Sequence, residues 1–129
     1  MPKGNTYKTD TLSANLVDNL AGTLYLALFS TNPGGDGSGT EISYSGYARR
    51  PIVWGTPSIN GALGEIKNTN LIEFGTVPST TGLLAGYAAI MTALTGGNIV
   101  YYGALGANYP LTQGVKPTVP IGSLTVTES

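Results

Sequence analysis

The residues of this 129-residue chain that could do chemistry are few. It has neither histidine nor cysteine, which excludes Ser-His-Asp triads, Cys-His dyads and the usual zinc sites within one chain. The same lack leaves no disulfide framework. Asp36, Glu41, Glu65 and Glu73 are of the type that glycoside hydrolases use in pairs. Nothing in their spacing brings two of them into one cleft, and the chain is expected not to be an enzyme. Asp36 and Glu41 lie in the run NPGGDGSGTE, Asn32 to Glu41. As a phosphate cradle this run fails. Its Gly35, Gly37 and Gly39 are spaced G-x-G-x-G, no lysine follows, and the chain continues into a strand rather than a helix. As a calcium loop it offers Asp36, Ser38 and Glu41 but lacks the further ligands and the glycine spacing of an EF-hand. The run is therefore read as a surface loop, a weak cation site at Asp36 being the alternative. No cofactor or resident metal is expected.

Arg49 and Arg50 stand together beside Tyr47, with Trp54 nearby. A guanidinium is a planar fork that suits carboxylates and stacks on aromatic rings. Neighbours on a strand face opposite sides, so one arginine is expected inward and the other toward solvent. Two readings stand side by side: an internal ion pair, with Glu41 or Glu73, that locks the long loop to the sheet, or a contact with a partner subunit. The eight tyrosines could line a sugar-binding face, though such rings more often serve cores and interfaces. The candidate partner contacts are Lys3, Tyr7, Lys8, Tyr47, Arg49 and Arg50.

These residues need elements to hold them. Met1 to Thr9 is polar without apolar periodicity and reads as an extended arm, residues 1–9. Leu12, Leu16, Val17 and Leu20 make one helical stripe, so a short helix is expected over about 10–21, stopped by Gly22. After it everything reads as β. LYLALFS is a buried strand, and Tyr47 to Trp54 is a strand that Pro51 demotes to an edge or a bulge. Glu65 to Phe74 alternates loosely. Leu83 to Leu94 has helix-forming composition, but its glycines favour a strand, which Asn98 to Leu105 pairs with through the Gly96-Gly97-Asn98 turn. Ser123 to Glu128 closes the chain as an alternating strand with Leu124 and Val126 on one face. The sum is roughly six to eight strands in one mainly β domain, residues 10–129. An antiparallel β-sandwich or jelly-roll-like architecture is expected, with a short N-terminal helix and an extended N-terminal arm.

Composition narrows the partners. Charged residues are 10% of the chain, with six cations against seven anions, where soluble domains usually carry about 25%. A near-neutral balance without a basic face argues against nucleic acid. No apolar run reaches the roughly 18 residues that span a bilayer, so no membrane is expected either. The opening MPKGNTYKTD has no apolar segment after its lysine and is not read as a signal peptide. So little charge suits a surface covered by other subunits, and a homo-oligomer is expected.

The order of motifs is LYLALFSTNPGGDGSGTEIS, then GYARR, then GGNIVYYGAL and a closing LTVTE. It resembles the small virion structural proteins of tailed bacteriophages, known as tail-fibre, minor structural or capsid decoration proteins. Their pattern runs LYVALYTSDPG, GTE, GYARQ, GGNLLYYGAL, LTVT. The likeness extends from about Leu12 to Glu128, with Arg50 where glutamine is commoner and TTGLLAGYAAI in place of an aromatic segment before the hairpin. The resemblance implies a structural part of a virion, assembled in the bacterial host cytoplasm. A compact low-charge domain with an arm puts capsid decoration first, the major capsid protein and sister copies being its partners. A minor tail, tail-fibre or baseplate component is the alternative.

Overall fold

The computed structural model describes residues 4–19 and 22–129. Its elements are a helix α1 (Asn5–Leu12), a π-helical turn (Ser13–Val17) and nine strands. The strands are β1 (Leu24–Phe29), β2 (Arg50–Ile52), β3 (Ser58–Asn60), β4 (Leu63–Lys67), β5 (Ile72–Glu73), β6 (Leu84–Met91), β7 (Ile99–Pro110), β8 (Thr118–Val119) and β9 (Thr125–Glu128). All the strand pairs are antiparallel. One sheet has the order β2-β1-β6-β7, a second β3-β4-β9, and β5 and β8 form a third small ladder. The protein is mainly β, and its antiparallel sheets pack together as a sandwich, as expected.

β1 sits between β2 and β6 and is buried on both faces. That is why it reads as an unbroken apolar run rather than an alternation. Leu24, Leu26 and Leu28 join the main core with Ile52, Ile90 and Phe74. Ala27 and Phe29 join Ala89 and Met91 in a second cluster on the opposite face of the sheet. From the other sheets, Ile66 of β4 pairs across to Val126 of β9, and Ile72 of β5 to Val119 of β8. Ile66, Ile72 and Val126 are all buried in the main core. Pro51 lies in β2 at the edge of the first sheet, as its missing N–H requires. That edge is capped: the Val53 N–H donates to Asn70 Oδ1 (3.0 Å), and Asn70 Nδ2 to the Pro51 carbonyl (3.1 Å). Within Leu83 to Leu94 the strand β6 runs Leu84–Met91, and the chain returns into β7 through Gly96 and Gly97, both at positive φ (64° and 74°).

The N-terminal expectation is corrected. The helix starts at Asn5, so residues 5–9 are helical and not an extended arm. Residues 1–3 lie outside the described residues. A helix without an apolar stripe holds here through Leu12, buried in the main core, and through Lys8. The Lys8 side chain is buried (6% exposed) over Gly64, and its ammonium donates to the Ala62 carbonyl. A Cβ on Gly64 would stand 2.9 Å from Lys8 Cβ, so the approach needs glycine. The expected stripe is also broken. Leu12 and Leu16 are core residues at 0% and 2% exposure, but Val17 is 50% exposed, and Leu20 lies outside the described residues. The cause is the π turn, closed by the Asp18 N–H on the Ser13 carbonyl at 2.8 Å, whose wider pitch rotates the next side chain off the stripe.

Candidate functional site

The loop from Ser30 to Glu41 builds the first candidate site, on the outer face of the four-stranded sheet. Its base is sewn shut by Ser30 N–H to Thr40 O (2.9 Å), Thr40 N–H to Thr31 Oγ1 (2.7 Å) and Ile42 N–H to Leu28 O (2.8 Å). The two turns inside it are Asx turns, in which Asn32 Oδ1 accepts from Gly34 N–H and Asp36 Oδ1 from Ser38 N–H, both at 3.0 Å. Gly39 lets the loop cross itself, since a Cβ there would sit 2.6 Å from the Asn32 carbonyl oxygen. The loop leans over Phe29, Met91 and Ile99 and leaves a recess of about 360 Å3.

Glu41 leaves this loop and meets Arg49. Arg49 Nε donates to Glu41 Oε2 (3.0 Å) and Nη2 to Oε1 (2.8 Å), a two-pronged ion pair. Nη1 donates to the carbonyls of Ala93 (2.8 Å) and Gly96 (2.7 Å) in the β6–β7 turn. Tyr47 completes the node: its hydroxyl donates to Glu41 Oε2 (2.8 Å) and accepts from Leu28 N–H (3.0 Å). Its ring stacks on Phe74 and meets Tyr44 edge-on, with centroids 5.8 and 5.6 Å away. Burial pushes the Glu41 carboxyl up, but the hydrogen bonds from Arg49 and Tyr47 and the guanidinium charge outweigh it and leave the group below its ordinary value. Tyr47 is shifted well upward, by burial first and then by the adjacent carboxylate. Glu41 raises Arg49 further through its hydrogen bonds.

The candidate contacts therefore separate. Arg49, 8% exposed, spends four of its five N–H donors within the chain and is the internal tie of the two readings. Of the two carboxylates weighed for it, Glu41 takes the pair, and Glu73 pairs instead with Lys116. Tyr47 has its hydroxyl and ring both engaged within the chain, and Lys8 is buried; neither offers a free contact. Tyr7 is 64% exposed. Lys3 lies outside the described residues. Arg50 faces the same side of the sheet as its partner Leu26, half-buried, with no ion pair and a buried Nε without a hydrogen-bond partner among the described residues. It is the inward arginine, yet the other one is not in solvent either, because the loop covers it.

Of the four carboxylates, Glu41 is paired with Arg49 and Glu73 with Lys116. Asp36 is exposed and lowered by hydrogen bonds from Ser38, and Glu65 is lowered by Asn60 and Lys67. A glycosidase acid needs a raised carboxyl. Among the described residues no three His, Cys, Asp or Glu side chains converge as metal ligands, and no helix is long and apolar enough to cross a membrane.

A second site was not anticipated. Along the other side of the sandwich β7 and β9 are both edge strands, each paired on one side only among the described residues. Between β7 and the segment 115–124 opens an apolar cleft of about 540 Å3 that reaches Leu26, Leu28 and Phe74 in the core. A smaller one of about 230 Å3 continues it between β7 and β9. The signal for this seam is in the sequence, since no charged residue occurs from Phe74 to Val115.

With both sites described, the comparison with known proteins is informative. Residues 9–127 match the model of the podophage GP4 fiber I protein gp80 family. The chain belongs to that family. It is thereby a phage structural protein and a virion component. No curated protein matched the sequence. The gp80 match takes in every strand but the last residue of β9, and with them both the Arg49 node and the seam.

Proposed function

We propose that this protein is a non-catalytic structural subunit of the phage fibre, acting through contacts with neighbouring subunits. The observation that carries the reading is the family match over residues 9–127, whose description is that of a fibre protein. The sequence alone favoured a cement role on the capsid, largely for an arm that would reach across capsomers. With residues 5–9 in a helix clamped to β4, that support is weaker, and the fibre comes first. The geometry supports a structural role. The carboxylates with lowered pKa are poor acids, and the most connected polar group, Arg49, spends its donors inside the chain.

Copy counting on purified particles tests this. A fibre subunit is present in few copies per virion and fractionates with tails, and immunogold labels the tail. Recovery with heads at a stoichiometry near that of the major capsid protein overturns the fibre position in favour of capsid decoration. Absence from particles overturns both.

A further inference from the structure

We infer that the seam between β7 and β9 is the surface by which one copy of this chain binds a second copy, around a two-fold axis. The inference rests on the assembly role proposed above and gives it a surface. Three observations carry it.

The first is charge. Free strand edges in proteins that stay monomeric are usually blunted by lysine, proline or other devices. β7 has twelve residues, most of them exposed, and not one is charged; its blunting devices are the closing Pro110 and a bulge. At the usual charge content the stretch Phe74 to Val115 would carry about ten charged residues. A four-residue bulge, Leu105 to Asn108 opposite Gly86, interrupts the ladder with β6. It places apolar Leu105 and the exposed Tyr109 along the cleft rather than a charge on the edge. Nothing on this strand selects a charged partner or repels a copy, and Lys116, which lines the cleft, is paired with Glu73.

The second is shape. The seam presents two strand edges, one from each layer of the sandwich, with an apolar slot between them that runs down to Leu26 and Leu28. An isolated strand or helix would meet one edge or fill the slot. A second two-layer sandwich with the same spacing meets both edges and the slot together, and a copy of the chain supplies that spacing. An isologous contact follows, in which Leu105 and Tyr109 of each copy face the cleft of the other.

The third is area. The edge of β7 extends roughly 35 Å once the bulge is allowed for, and two layers span about 20 Å, which gives about 700 Å2 per copy. Stable interfaces bury about 600–1,000 Å2 per partner, and the seam falls within that range.

Light scattering on the purified full chain between about 1 and 100 µM tests the inference, since self-association depends on protomer concentration. The wild type is expected as a dimer. Ala104→Lys and Tyr109→Lys, both at exposed positions, should each weaken it at least about tenfold. Ser58→Lys, exposed on β3 at the far edge, should leave it unchanged. Melting curves show whether each variant is folded, and two seam variants guard against the loss of one. Because the chain has no cysteine, Ala104→Cys and Ala107→Cys give unique thiols, and oxidation should cross-link at least one of them into dimers while Ser58→Cys stays monomeric. A wild type that remains monomeric at the top concentration, a trimer, or equal sensitivity at Ser58 overturns the inference. A dimer missing from virions overturns the assembly role and leaves the seam standing. A monomer present in virions does the reverse.

Discussion

Replacing Arg49 with alanine is the sharpest test of how the long loop is held. The side chain donates four hydrogen bonds, two to the Glu41 carboxylate and one each to Ala93 and Gly96. Removing one member of a buried pair costs about 3–5 kcal/mol, because the other charge stays behind without its partner. Glu41 keeps 27% of its side chain exposed, so water recovers part of that cost and the low end applies, about 3 kcal/mol. The carbonyls of Ala93 and Gly96 belong to a surface turn and regain water easily. Against a total of about 5–15 kcal/mol this is a large fraction. With a urea slope of about 2 kcal/mol per molar, the unfolding midpoint falls by about 1.5 M. Arg49→Lys keeps the charge but loses the fork, and should fall about half as far. In a double-mutant cycle with Glu41→Ala the two sites should couple by at least about 1.5 kcal/mol. A midpoint within about 0.3 M of wild type for Arg49→Ala, or additive single effects, would refute the reasoning.

Two further outcomes follow from the same kind of reading. Glu41 has its carboxyl held below the ordinary 4.5 in the folded chain, so its contribution is fully present above pH 4.5 and is lost as pH falls through the folded value. The urea midpoint of the wild type should drop on acidification below that point, and less steeply in Arg49→Ala, whose shift is gone; parallel acid profiles would contradict this. Asn68 is 2% exposed and ties its own loop to the segment 120–124, donating to the Asn70 (2.7 Å) and Pro120 (3.2 Å) carbonyls and accepting from Leu124 N–H (2.9 Å). Asn68→Ala leaves those groups unpaired at about 2–3 kcal/mol, or a melting point about 10 °C lower; calorimetry showing a shift under about 3 °C would speak against the tie.

What was legible in the sequence was whatever depended on local pattern. LYLALF announced a strand buried on both faces, Pro51 announced an edge, and the glycines beside Asn98 announced the hairpin into β7. The pairing of Glu41 with Arg49 was one of two options, since spacing alone could not choose between Glu41 and Glu73. The structure decides by register: the isolated bridge Phe29–Glu41 brings Glu41 to the sheet face that Arg49 reaches. What was not legible depended on distant partners. NTYKTD has no apolar stripe, and its helix stands because Lys8 finds Ala62 and Gly64, more than fifty residues away, and Leu12 at its end is buried in the core. The two adjacent arginines were expected to divide between inside and solvent, but the loop that covers Arg49 is a tertiary fact. The seam was visible only as low charge in the whole chain; that the blank stretch lands on one edge needs the strand order.

The placement of charge then says more than its scarcity. Lys8 binds a carbonyl, Arg49 binds Glu41, Lys67 lies 3.5 Å from Glu65, and Lys116 pairs with Glu73. Two of the six cations, Lys8 and Arg49, thus serve as buried ties, and Lys67 and Lys116, about half exposed, pair with carboxylates of the same chain. Arg50 is half-buried, and Lys3 lies outside the described residues. A monomer meant to meet water on all sides would spread its few charges over the longest free edge first, since that edge is where an unwanted strand would add. Here β2 at one edge of the sheet is capped by Asn70, while β7 at the other has neither a cap nor a charge along Tyr102 to Pro110. The same sheet caps one edge through Asn70 and leaves the other, but for its bulge and the closing Pro110, without a cap or a charge. That asymmetry is hard to reconcile with a neutral solitary domain, and it is what a subunit requires if one of its sides is always against another protein surface.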